Sequence, residues 1–242
     1  MRHRECLAAL LEGASGMNAD GYVREHSRRF HHTYEVCAPL VGKGQRLLSI
    51  GAGQASVEWL LARERGVDVT ILDFPETVER MRGYYQRNGF EMVAGEAGDV
   101  LHQVPDDAFD LVLYSEIIEH IPSAPSTQLV GAVRHLRQGG HLVVSTPNLG
   151  SLAHVVRLLQ MRPILPVPER TFGDVCVENQ DVHRREYLPV EIRSAFEAAG
   201  LEHVATTYFR YADLTGARGA LERLSGVVPR FRPGMLLVGR RM

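Results

Sequence analysis

The sequence predicts an α/β fold built on a parallel sheet, and three observations predict it. Between residue 45 and about residue 147, short apolar runs alternate with helix-periodic segments, the pattern of repeated βαβ units. A glycine-rich turn, Gly51-Ala52-Gly53, follows the first apolar run at once. The second run ends on an acid, Asp73.

Residues 1–44 read as a polar helical cap that ends in the breakers Pro39, Gly42 and Gly44. Arg46–Ile50 is a compact apolar run and the first strand. Val57, Leu60 and Leu61 then recur on one face of a helix. Asp68–Leu72 is the second strand. Pro75 opens the next helix, which carries Val78, Met81 and Tyr85 on one face. Glu91–Gly95 is a weaker strand, and Phe109–Tyr114 a buried one. Ser126 is the expected N-cap of a helix presenting Leu129, Val130, Val133 and Leu136, with Gly139-Gly140 as its stop. His141–Thr146 is the fifth strand.

Beyond it, residues 150–160 look helical, whereas 161–182 contain Pro163, Pro166 and Pro168 and little periodicity. So long an irregular stretch predicts a lid or functional loop. A helix follows from Pro189 to Gly200, with Ile192, Ala195, Phe196 and Ala199 on one face. A strand over about 202–209, a helix over about 212–225 and a last strand, Met235–Arg240, complete the chain. We read 1–242 as one domain: a cap at 1–44, a ligand-binding core at 45–149, an insert at 150–182 and the rest of the core at 183–242.

Composition excludes several functions. The formal net charge of −2 gives no basic face for nucleic acid or an anionic membrane. No apolar run approaches the ~18 residues of a membrane span, and Glu5 and Glu12 break the only N-terminal apolar patch. Cys6, Cys37 and Cys176 are scattered without a C-x-x-C, so neither a disulfide framework nor a cysteine-ligated metal is expected. The cytosol is the expected compartment. Leu7, Leu10 and Leu11 suit an inward face or a second copy of the chain equally, which leaves a homo-oligomer open.

The chemistry should lie at Leu47–Ser56. Two glycines between a buried strand and a helix let the backbone turn sharply and let a ligand approach the positive end of the helix. Asp73 lies 22 positions after Gly51, at the tip of the next strand, where a carboxylate can accept both hydroxyls of a ribose. Together they point to a nucleoside-containing ligand. A dinucleotide site usually has a third glycine where this chain has Ser56.

These residues resemble the class I S-adenosylmethionine-dependent methyltransferases, and further segments extend the likeness. Gly98-Asp99 stands where that family places an acid against the adenine amino group. Phe109–Pro122 resembles its fourth strand and following loop, and Gly139–Asn148 its fifth. His183–Val204 resembles its next helix and strand, and the segment from Arg232 to Arg241 its last strand. The resemblance implies a Rossmann-like sheet of seven strands, mostly parallel, with the last antiparallel. It implies S-adenosyl-L-methionine as cofactor, held by Ser49, Gly51, Ala52, Gly53, Asp73, Phe74, Gly98, Asp99, Val100, Ser115 and Glu116. The chain departs from the family at Ser49, commonly Asp or Glu, and at Ala55, commonly glycine.

The resemblance further implies methyl transfer to an oxygen or nitrogen of a small molecule, either by proximity alone or with a histidine base. His120 follows the fourth strand in Glu116-x-x-Glu119-His120, and His183 begins the return from the insert; these are the candidate bases. Each also reads as an ordinary loop histidine. His31 and His32, being adjacent, point apart on a helix. Tyr22, His26, Arg29 and Tyr34 either pack or close over the cofactor's carboxylate. Tyr84-Tyr85 reads as core. No metal is expected, because Asn148 follows a proline rather than the aspartate of the metal-dependent, catechol-type enzymes. A nicotinamide-dependent oxidoreductase and a non-catalytic binding protein of the same fold remain as alternatives.

Overall fold

The computed structural model describes residues 1–14, 19–95, 103–165, 182–211 and 224–242. Helices α1 (His3–Gly13) and α2 (Asp20–Cys37) precede β1 (Arg46–Ile50), α3 (Ser56–Arg65), β2 (Asp68–Asp73), α4 (Pro75–Arg87) and β3 (Glu91–Ala94). Then come β4 (Phe109–Ser115), α5 (Pro125–Arg134), β5 (Leu136–Pro147), α6 (Leu152–Leu159), α7 (Pro189–Ala198), β6 (Leu201–Phe209) and β7 (Gly234–Arg241).

The seven strands form one sheet in the order β3-β2-β1-β4-β5-β7-β6. Pairing is parallel from β3 to β5, and β7 runs antiparallel to both β5 and β6. This is the predicted Rossmann-like architecture with its last strand reversed. Side chains alternate across the sheet, as the pleat requires. Leu47, Leu111 and Leu113 enter the core shared with α1–α4, whereas Leu48, Val112 and Tyr114 enter the core under α5 and α7. The strand order reverses direction between β1 and β4, so the crevice at their carboxyl ends is where a ligand fits.

Three expectations around α5 need correction. Its N-cap is Ala124, not Ser126, because Pro125 occupies the first helical position, where a missing N–H costs nothing. The helix stops at Arg134 rather than at the glycines, and Leu136 belongs to β5, paired with Phe109. Pairing resumes at Leu111 with His141, so Gly139-Gly140 fall in a bulge within the strand. Val130 is exposed on α5, and Leu129, Ala132 and Val133 form the buried face instead.

The expected helix at 150–160 is α6, capped by Ser151, whose hydroxyl oxygen accepts from the His154 N–H at 3.3 Å. Of the insert, residues 166–181 lie outside the described residues, as does most of the helix expected over 212–225. Cys6 and Cys37 are buried and free, while Cys176 lies outside the described residues. Among the described residues no helix is long and apolar enough to cross a membrane.

Candidate active site

The turn after β1 is built for close approach. Gly51 has φ +68°, and a Cβ there would lie 2.2 Å from Ile117 Cδ1, so any other residue strains the backbone and must displace Ile117. Gly53 has φ +57° and faces open space. Ala55 also takes a left-handed conformation, φ 49°, just before α3. That explains why a glycine is common at this position: alanine there bears a steric cost that glycine avoids.

Asp73 ties the turn to the end of β2. Its Oδ2 accepts from the Gly53 N–H at 2.8 Å and its Oδ1 from the Phe74 N–H at 2.8 Å. Each oxygen keeps a lone pair for a ligand hydroxyl. Burial raises the Asp73 carboxyl above the usual aspartate range, and these two backbone bonds oppose the rise. The Tyr85 hydroxyl donates to the Gly53 carbonyl from α4, so Tyr85 is core at its ring and a brace at its oxygen.

A cleft of about 130 Å³ opens over this turn. The expected residues Gly51, Ala52, Gly53, Ser115 and Glu116 line it, together with Tyr22, Arg29 and Phe30 of α2. Asp73 and Phe74 flank it through the bonds just described. Gly98, Asp99 and Val100 lie outside the described residues. Ser49 does not reach the cleft: it is 1% exposed, and its hydroxyl donates to Glu58 Oε1 at 2.5 Å. Glu58 lines the cleft instead. It was legible only as a charge inside the apolar run Val57–Leu61.

At the far wall, Glu116 takes a left-handed conformation after β4 and is held from three sides. Ser145 donates to its Oε1 at 2.9 Å, Tyr211 donates to its Oε2 at 2.8 Å, and the Arg29 guanidinium lies 3.4 Å from Oε2. Ser115 and Ser145, opposite each other in the β4–β5 register, join at 2.8 Å. Arg29 also donates to Tyr22 at 3.0 Å, but its buried Nε has no partner. The α2 helix thus delivers a cation into the cleft. A larger groove of about 590 Å³, lined by α1, Tyr34 of α2 and Arg63 and Glu64 of α3, has no such convergence of donors on a glycine turn.

The candidate bases come together. His120 and His183 meet edge to face, with ring centroids 4.9 Å apart. Two hydrogen bonds from Arg184 join the same segments: the Glu119 carbonyl accepts from the Arg184 N–H at 2.8 Å, and the His120 carbonyl accepts from the side-chain Nε of Arg184 at 3.0 Å. Both histidines are partly exposed. Asn148, by contrast, is structural, since its amide donates to the Arg230 and Arg232 carbonyls at 2.8 Å each. His32 donates to or accepts from Thr207 at 2.8 Å, and His31 lies beside Glu35, so that pair packs rather than ligates.

A family model described as a methyltransferase domain matches residues 22–206. The chain belongs to this methyltransferase-domain family. The ubiquinone biosynthesis O-methyltransferase of Aeromonas salmonicida (strain A449) is 28% identical over 161 residues, covering 65% of this chain. The match spans 63% of that relative, less than two thirds of its length. Among solved structures, a methyltransferase in complex with the Haloferax volcanii Trm112 methyltransferase activator superposes with a TM-score of 0.64 at 19% identity. That superposition covers 98% of this chain and 97% of the other. A SAM-dependent methyltransferase from Archaeoglobus fulgidus gives 0.59 at 16% identity, over 91% and 99%. At such identities these structures establish the shared fold of the methyltransferase domain.

Proposed function

We propose that the protein moves a methyl group from S-adenosyl-L-methionine to an oxygen or nitrogen of a small molecule. The observation that carries this reading is the Asp73 carboxylate, bonded to Gly53 and Phe74 yet holding spare lone pairs beside the glycine turn. The donor set suits the whole cofactor. Asp73 takes the ribose hydroxyls, Gly53 leaves open space for the chain beyond them, and the unpartnered Nε of Arg29 takes the amino-acid carboxylate. Asp99 is assigned to the adenine amino group.

When bound, the cofactor supplies a methyl on a positive sulfur; the C–S bond breaks with its electron pair left on sulfur as the bond to the acceptor forms. The chain's contribution is alignment and exclusion of water. The proton of the acceptor passes to His120 or His183, the titratable pair at the same edge of the sheet. We assign the cap at 1–44 and the insert at 150–182 to enclosing the acceptor, in one domain with the core. The balanced charge favours a small acceptor over nucleic acid. Buried free thiols at Cys6 and Cys37 suit a reducing, cytosolic compartment.

Calorimetric titration with S-adenosylhomocysteine tests the reading. Saturable binding is expected, lost in Asp73→Ala and weakened in Asp73→Asn. Silence toward it together with a clear response to NADH overturns the reading in favour of an oxidoreductase.

A further inference from the structure

Glu186 is a buried acid outside the glycine-turn cleft, 8% exposed and set between two imidazoles. His183 Nδ1 lies 3.4 Å from its Oε1, and His154 Nδ1 lies 3.3 Å from its Oε2. We propose that Glu186 is a positioning residue for methyl transfer, whose carboxylate holds the His183 ring with Nδ1 protonated and so presents the Nε2 lone pair to the acceptor's proton. This role rests on the methyl-transfer reading, which is what gives His183 a proton to take.

The backbone is pinned on both sides of the acid. Before it, the Arg184 N–H donates to the Glu119 carbonyl at 2.8 Å, which ties the segment to the loop after β4. After it, the Leu149 N–H donates to the Tyr187 carbonyl at 3.0 Å, and Tyr187 bridges to Asn148 just beyond β5. Glu186 is thereby fixed at the carboxyl edge of the sheet. His154 reaches it from the first turn of α6, the turn capped by Ser151.

An ionised carboxylate has no proton to give, so a ring nitrogen facing it must carry the N–H. For His183 that nitrogen is Nδ1, and the neutral ring then has its basic lone pair on Nε2. An imidazole side chain in water favours the opposite tautomer, so the carboxylate is what selects this one. Among the described residues the two rings are the only polar partners of the Glu186 carboxylate. His154 Nδ1 and Glu186 Oε2, both buried, have no hydrogen bond elsewhere. Leaving a buried carboxylate without donors is costly, and that cost keeps the three groups together. The acceptor's proton joins Nε2 while its bonding pair stays on the acceptor atom, and the imidazolium so formed faces a negative charge. Loss of that proton to water restores the base. At 3.4 Å the His183 contact is long, as such bonds are before substrate is seated, and it tightens as the ring gains charge.

The test is ¹⁵N spectroscopy of the full chain labelled at histidine, at about pH 8.5, well above the ordinary histidine value of about 6.5. His183→Ala and His154→Ala assign the signals. In the parent, His183 Nδ1 is expected in the range of a protonated ring nitrogen and Nε2 in that of a bare one. Glu186→Leu, which removes both oxygens at similar volume, should reverse the two. Glu186→Gln presents one oxygen where the carboxylate presents two, so His183 or His154 should reverse even if the leucine variant does not fold. Glu197→Gln, exposed on α7, should move neither ring. A parent His183 protonated at Nε2 overturns the proposal, as does a folded Glu186 variant in which neither ring reverses. Titration with S-adenosylhomocysteine separates the two ideas, and Glu186→Gln should bind it as the parent does. Binding with the wrong His183 tautomer sinks this inference alone. The expected tautomer without binding sinks the methyl-transfer reading and leaves only the hold of the carboxylate on the ring.

Discussion

The Ser49 hydroxyl donates to the buried Glu58 carboxylate at 2.5 Å, joining the end of β1 to the first turn of α3. The resemblance to class I methyltransferases implies an acid on the strand itself, at the position of Ser49. Here the carboxylate reaches the glycine turn from the helix, and the strand contributes only a hydroxyl. At Ser49 the chain thus pairs a strand hydroxyl with a helix acid.

This pair sets a pH dependence. Burial, first of all, raises the Glu58 carboxyl above the ordinary glutamate range, and the Ser49 bond opposes it. A raised folded value means its contribution to stability is full below the unfolded value of about 4.3 and is lost as pH climbs through the folded value. Glu58→Gln should remove that loss, so the variant should melt above the parent at pH 8. At pH 4 the variant and parent should melt together. Ser49→Asp should melt lower than the parent, because a second acid then faces Glu58, and adding Glu58→Gln should restore it. Thermal melts across pH check all three, and a Glu58→Gln variant less stable at pH 8 than at pH 4, relative to the parent, refutes the assignment.

Gly51 and Gly53 should respond differently to a methyl group. Gly51→Ala forces Cβ against Ile117 Cδ1 and should cost about 1–3 kcal/mol in packing besides its backbone strain. Gly53→Ala meets nothing and should carry only the backbone cost, about 1–2 kcal/mol. Ile117→Val should recover part of the Gly51→Ala loss, as read by denaturant unfolding. Equal losses in the two single variants would contradict the geometry of the turn.

Arg29 is assigned to the carboxylate end of the cofactor. Arg29→Met keeps the aliphatic stem and should weaken S-adenosylhomocysteine about 10–100-fold, the value of one charged hydrogen bond. Adenosine lacks that carboxylate, so its affinity should not change. Parallel titrations decide the point, and a matching loss for adenosine would mean that Arg29 only shapes the pocket.

His120→Ala and His183→Ala should each lower turnover at saturating cofactor by about 10²-fold or more. The KM for S-adenosylmethionine should stay near the parent value, since neither residue lines the nucleoside cleft. Full turnover in both variants would leave proximity alone to carry the chemistry.

Much of the architecture is local in origin and was legible as such. The first two strands, the turn at Gly51 and Gly53, and Asp73 at the next strand tip are set by short-range hydrophobic periodicity and by glycine's freedom at positive φ. Leu136 shows where local reading stops. It fits a helical face by spacing, but pairing with Phe109 draws it into β5, and no local pattern carries that competition. Sequence could nominate His120 and His183 separately. Only the fold, with hydrogen bonds from Arg184 to the Glu119–His120 turn, brings them to ring contact. Likewise Glu58 reads as a misplaced charge until the fold seats it on Ser49. The sequence by itself determined the alternation of elements and the place of the glycine turn, because those depend on neighbours a few residues away. The tertiary structure alone decided which distant side chains share a site, because that depends on sheet register and on loops crossing at the carboxyl edge.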